Sequence, residues 1–288
     1  MTTRRTPTSR PGPTMRRRRL GSELRKLREA AGLTIDPVAV HLACSPSKIS
    51  RIETGRVAAA TQDIRRMLDL YEASGDQRRE LLQIATLAQE KAWWQAYSDT
   101  LVVPLVGLEE AAAAIDIYEA IVVPGLFQTP NYARAIIHSV RPGMPSEQIE
   151  RLVELRMTRQ ETLFARDDPP RLSVIIDEAV LHRPIGEPAL MDQQLKHLVE
   201  VTKQPTVTLR LLPFGAGAHP AMSGAFTIFR FSRPDEPGVV YLEHKARDLY
   251  LDDPDDVQRY TETFEKLCRL SFEPNDTIKQ LNALKKNL

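Results

Sequence analysis

At 288 residues, 42% hydrophobic and 27% charged, the chain exceeds one typical domain and is apolar enough to bury more than one core. No apolar run approaches the ~20 residues of a membrane span, and the arginine-rich start lacks the apolar stretch of a secretory signal, which argues against membrane-bound and exported classes. The formal net charge of +1 hides an asymmetry: residues 1–72 hold 15 Lys and Arg against 7 Asp and Glu, a surplus of 8 that leaves −7 for the remainder, so only the first part is built to meet phosphate.

Residues 1–19, MTTRRTPTSRPGPTMRRRR, contain seven arginines, three prolines and no acid, a composition that cannot form a core and reads as a disordered basic arm. Arg16, Arg17, Arg18 and Arg19 are its candidate DNA contacts, along the backbone or in a narrow minor groove. A solvated tail without a specific role is the alternative.

Residues 20–75 form the next predicted unit. Leu20, Leu24, Leu27 and Ala31 make an amphipathic helix ended by Gly32. Thr34 is an N-cap, Pro37 falls in a first turn, and Val38, Ala39 and Leu42 form a short apolar stripe. After the Ala43-Cys44 break, Ser45 caps a second helix with Pro46 at its first position and Ile49 and Ile52 facing inward. Thr61 to Tyr71 follows as another amphipathic helix. In a helix-turn-helix the second helix lies in the major groove, which turns Ser47, Lys48, Ser50 and Arg51 toward DNA, with Thr34 and Ser45 at the two helix starts. An ordinary helical hairpin would show the same caps and stripes, but not the flanking helices.

Through Leu33-Thr34, Ala39, Ile49-Ser50, Ile52-Glu53 and Gly55, residues 18–72 resemble the Xre type of regulator, the lambda-repressor-like family. The chain departs from that pattern at Ala43, where the turn usually carries glycine, and at Pro37 and Pro46, which replace more usual polar residues. The resemblance implies a structural pair between Arg28, late in the first helix, and Glu53, at the end of the reading helix, since an arginine fork can fix two helices through one carboxylate.

Gln77 to Lys91 continues as an apolar helix through Leu81, Leu82, Ile84, Ala85 and Leu87, ending near Trp93-Trp94. Residues 76–98 read as a helical connector and candidate dimer element. The tryptophan pair suits an interdomain core better than a ligand cage.

Residues 99–288 mix helices and strands. Helices are expected at Leu108 to Ala120, Ala133 to His138, Glu147 to Ala165, Met191 to Val201, Val257 to Ser271 and Thr277 to Lys286. Strands are expected at Leu172 to Ile176, Val207 to Leu212, Phe226 to Phe231 and Val239 to Leu242. The fold class is therefore an all-α helix-turn-helix head followed by a mixed α/β (α+β) domain. Trp93-Trp94, Tyr118-Glu119, Val123 to Thr129, Tyr132 to Ala135, Arg156 to Gln160, Asp177 to Ala179, Leu212 to Phe214, Gly217 to His219, Gly224 to Phe226 and Val240 to Glu243 together resemble an actinomycete group that joins an Xre-type head to a C-terminal domain of unknown function. That resemblance implies a transcriptional regulator, often antitoxin-like and encoded beside a small partner protein.

Catalytic chemistry has little support in the residues. Asp177, Glu178 and His182 place an acid and a histidine four apart without a third partner, and read better as a helix cap beside a surface histidine. The loop Gly215 to Pro220 lacks the Gly-Lys-Ser/Thr ending of a phosphate-binding loop; its Gly217 and His219 are the candidate effector or partner contacts, against a plain tight loop. Cys44 and Cys268 lie far apart and show no metal or redox spacing, which fits a reducing cytoplasm. No metal, cofactor or enzyme activity is expected. The favoured function is a dimeric regulator of a palindromic double-stranded operator with a sensing C-terminal domain. An antitoxin-like protein controlling its own operon and a DNA-tethered enzyme are the alternatives.

Overall fold

Leu20, Leu24 and Leu27 recur at helical spacing, and the helix they predict, α1 (Pro13–Ala30), starts well before them. The computed structural model describes residues 13–55, 57–88, 103–232, 238–244 and 248–286. Residues 13–19, expected to end a disordered arm, are instead the first turns of α1. Arginine is a good helix former, and extending a helix already anchored by buried Leu20 and Leu24 costs little. Residues 1–12 of that arm lie outside the described residues.

Thr34 stands at the N-cap of α2 (Ile35–His41) but makes no side-chain capping bond. Ser45 does cap α3 (Pro46–Glu53), its Oγ accepting from the Lys48 amide at 3.2 Å. Between them Ala43 has φ +52°, the left-handed geometry a glycine would adopt freely and an alanine holds at a cost of about 1 kcal/mol. Helices α4 (Thr61–Leu70) and α5 (Gly75–Leu87) complete the layer. One core gathers Leu20 and Leu24 with Val38, Ile49, Ile52, Ile64 and Met67.

The apolar stripe of α5 was expected to reach another domain or a partner. Instead Leu81, Ile84 and Ala85 join the head's own core, so this side of α5 is a structural part of the head. Helix α6 (Val103–Ala111) packs on α1, and the first compact unit ends at Ala111. The boundary thus falls later than residue 98. Trp93 and Trp94 lie outside the described residues.

The second unit begins at Ala112 and is built on a six-stranded sheet of order β3-β2-β1-β4-β5-β6. Its strands are β1 (Ala114–Glu119), β2 (Arg171–Asp177), β3 (Val207–Leu212), β4 (Phe226–Arg230), β5 (Val239–Leu242) and β6 (Leu249–Leu251). The expected helix Leu108 to Ala120 is therefore wrong over its second half. Ile115, Ile117 and Tyr118 are buried on both faces of a central strand, so the apolar pattern does not alternate and reads equally as a buried helix.

Strands β1, β2 and β3 run parallel, while β4 is antiparallel to β1 and β5 and β6 continue antiparallel. Helices α7 (Pro130–Val140) and α8 (Ser146–Phe164) cross from β1 to β2; α9 (Glu178–His182) and α10 (Pro188–Val201) cross from β2 to β3. Helix α11 (Pro254–Leu270) buries Phe264 and Leu267 against Ile175, Ile228 and Val240 on one face. The outer edge of β3 is closed from the start of α12 (Pro274–Lys285): Phe272 N donates to Leu211 O at 2.8 Å, and Leu211 N donates to Thr277 Oγ1 at 3.0 Å.

Candidate functional site

Helix α3 carries two different faces. Ile49 and Ile52 are buried, and Ser47, Ser50 and Arg51 are exposed on the other side, with Thr34 and Ser45 exposed at the helix starts. Arg51 Nε donates to the Ser47 carbonyl at 3.2 Å, which orders the guanidinium along the outer face. Lys48 differs from its expected role as a free contact. Its Nζ lies 2.8 Å from Asp63 Oδ2 on α4, and that carboxylate raises its pKa above the ordinary lysine value.

The four arginines of the expected arm sit on α1 instead. Arg16 is buried, Arg17 Nε donates to Ala88 O at 3.0 Å, and Arg19 pairs with Glu80 of α5. The Arg18 backbone lies against Gly55. Arg17 and Arg19 thus tie α1 to neighbouring elements of the head rather than standing in a mobile arm, because a helix fixes their directions and those elements offer a carbonyl and a carboxylate partner.

The end of α3 is clamped to α1. Arg28 Nε lies 2.7 Å from Glu53 Oε1 and Nη2 lies 2.9 Å from Glu53 Oε2, a bidentate fork, while Nη1 donates to Leu33 O at 2.8 Å. The hydrogen bond to Glu53 raises Arg28 above its ordinary value against the cost of burial. A further residue, not foreseen from the sequence, makes this approach close: Gly21 faces the carbonyls of Ile52 and Glu53. Its signal was available, since a glycine inside a leucine-striped helix works against helix propensity.

In the second unit the carboxyl ends of β1, β2 and β3 collect several of the candidate residues. The strand order reverses at β1, and that edge is where open α/β sheets place ligands. Asp177 caps α9 by accepting from Ala179 N at 2.9 Å. Glu178 accepts from Phe214 N at 2.7 Å, and its other oxygen lies 3.4 Å from His182 Nε2. His219 Nε2 lies 3.9 Å from Asp177, and its ring meets Tyr118 edge-on at 5.8 Å. Gly217 takes φ +64° in the turn that precedes His219.

The segment Val123 to Thr129 leaves β1 at this edge and is pinned by three glutamines. Gln128 Nε2 donates to Val123 O at 2.6 Å, Gln160 Nε2 donates to the Gly125 and Gln128 carbonyls at 2.9 Å, and Gln194 Nε2 donates to Phe127 O at 2.7 Å. Beside it, loss of solvent pushes Glu119 up to about 8; the charge of Glu243 adds to the rise and Arg156 opposes it. A carboxyl raised in the folded state holds its proton longer there than in the unfolded chain. Its contribution is therefore fully present below the ordinary value of 4.5 and is lost as pH rises to about 8. Glu119→Gln should stabilise the second unit by about 4 kcal/mol at about pH 9 and by less than about 1 kcal/mol at about pH 5, read by amide exchange of β1 and β2. An equal effect at both values would show that Glu119 does not hold the proton.

Among the described residues, no group of three His, Cys, Asp or Glu is placed to hold a metal ion, and no helix is long and apolar enough to cross a membrane. Residues 19–81 match a helix-turn-helix domain, which with the two-faced α3 defines a DNA-binding protein with a second, mixed α+β unit. Residues 102–283 match a domain of unknown function (DUF5753) over more than half of the chain, and the chain belongs to that family. Neither curated proteins nor solved structures gave a match.

Proposed function

We propose that this is a sequence-specific transcription regulator of the Xre type. Helix α3 reads base edges through Ser47, Ser50 and Arg51, and the second unit pairs two copies on a palindromic site and receives an effector without acting as an enzyme. The observation that carries the reading is the division of α3: isoleucines buried behind, short polar side chains and one arginine exposed in front, and the helix end clamped by Arg28 and Glu53. Lys48 serves as a positioning contact, held by Asp63 beside the backbone rather than over a base. The apolar side of α5 is spent inside the head, which supports giving the pairing of the two copies to the second unit.

The test uses the full chain and an operator recovered by selection from genomic fragments. Arg51→Ala is expected to cost about 1 to 3 kcal/mol of operator binding, with random DNA affected far less and the fold unchanged, because Arg51 is exposed. Fluorescence anisotropy against both DNAs at fixed salt reads the difference. Unchanged operator preference would remove α3 from the reading role.

A further inference from the structure

The carboxyl edge of the sheet holds a buried histidine with one nitrogen unserved. The His219 side chain is 7% exposed, and among the described residues Nδ1 has no hydrogen-bond partner. A buried polar nitrogen left in that state costs about 1 to 3 kcal/mol, so a group that satisfies it gains a corresponding advantage. The Asp177 carboxylate near Nε2 favours the tautomer with its hydrogen on Nε2, which leaves a lone pair on Nδ1. What is missing there is a donor.

The charge at this edge says which kind. Among the described residues, the basic groups paired with Asp177 and Glu178 are His219 and His182. Glu243, after β5, brings a third carboxylate to the same edge, where Glu119, at the end of β1, is kept protonated by burial. Arg156 and Arg183 exert their influence on Glu119 and Tyr132 instead. The rim is apolar. Ile121 follows β1, Phe214 follows β3 and Met222 precedes the antiparallel β4, so all three stand at this edge, and they are 59%, 60% and 71% exposed. Phe214 also stacks near His182, with ring centroids 5.7 Å apart, and offers an aromatic face to a cation.

We infer that the carboxyl edge of β1 to β3 binds a small amphipathic amine or guanidine. Its cationic N–H group donates to His219 Nδ1, and its apolar body lies on Ile121, Phe214 and Met222. This deepens the effector role given to the second unit and rests on that reading. A donor without charge would leave the acids uncompensated, and a carboxylate would meet both them and the His219 lone pair.

The full chain is titrated calorimetrically at neutral pH with 2-phenylethylamine, tryptamine and benzylguanidine, and with 3-phenylpropionate as the anionic counterpart. At least one cation should bind saturably within about 10 mM, at least about tenfold more tightly than the anion. Asp177→Asn, which keeps an oxygen for the α9 cap, and His219→Phe, which keeps a ring against Tyr118, should each weaken it about tenfold or more at a melting temperature no lower than the parent's. If no cation saturates, if the anion binds equally well, or if both stable variants bind as the parent does, the site is overturned. Operator binding separates the two readings: a chain that binds DNA specifically but no amine loses this site and keeps its function. A chain that binds the amine with no change in operator affinity keeps the site and loses the effector role.

Discussion

Glu53→Ala is expected to destabilise the head by about 3 to 5 kcal/mol. The Glu53 carboxylate and the Arg28 guanidinium are 3% and 9% exposed, and the two hydrogen bonds between them are 2.7 and 2.9 Å. Removing the acid leaves a cation in the head whose remaining partners among the described residues are the Leu33 carbonyl and, more weakly, Glu29 at 3.5 Å. Glu53 is also placed badly for its own helix, at the negative end of α3, so the arginine is what makes a glutamate tolerable there.

Arg28→Lys keeps the charge and loses the fork, and should fall between the parent and Glu53→Ala. The check is a double-mutant cycle with Arg28→Met and Glu53→Leu, following amide exchange of α1 and α3 in the full chain. The double variant should recover much of the loss, because two apolar side chains of similar size leave no buried charge. Strictly additive losses would mean that the two residues do not act on each other.

Gly21→Ala should reverse the usual sign of a helical glycine replacement. In an open helix, alanine for glycine gains close to 1 kcal/mol, but a Cβ on Gly21 would stand 2.4 Å from Glu53 O and 2.5 Å from Ile52 O. Those are backbone atoms of α3 and cannot rotate away. The expected result is a loss of about 3 kcal/mol, at the upper end for overpacking, and weaker operator binding because α3 must shift from α1. Gly55, with φ +69° and a virtual Cβ 2.7 Å from Arg18 Cα, closes the same contact from the other side. Gly75, in the first turn of α5 with nothing within 4 Å of its virtual Cβ, is the control: Gly75→Ala should be neutral or mildly stabilising. Equal behaviour of the two variants in thermal unfolding would show that α1 and α3 are not in close contact at Gly21.

Local chemistry in the sequence determined the helix-turn-helix almost completely. Ser45 before Pro46, and Ile49 three residues from Ile52, act within one or two turns, and a cap or a stripe means the same wherever the helix later packs. The strands Val207–Leu212 and Val239–Leu242 were legible for a similar reason, as short apolar runs between turn residues. Even the Arg28 and Glu53 pair could be assigned, because the resemblance to repressor heads supplied the long-range partner that spacing could not. Asp177 also reads locally as a cap, and it is one.

Tertiary structure alone decided the rest. The run from Ala111 to Ile117 satisfies a buried helix and a buried strand equally; pairing with β2 on one side and β4 on the other selects the strand for Ala114–Glu119. The arginines at 16 to 19 looked like a solvated arm until Leu20, Leu24, Ala88 and Glu80 gave the helix a place to extend. Lys48 looked free until α4 placed Asp63 beside it. Tyr118, Asp177 and His219 come from three strand ends separated by whole crossovers, and no local period relates them. Caps, stripes and turns are settled by neighbours in the chain, whereas strand order, ion pairs and a buried histidine are settled by which distant segments the chain closes against, at an entropy cost that only the assembled core offsets.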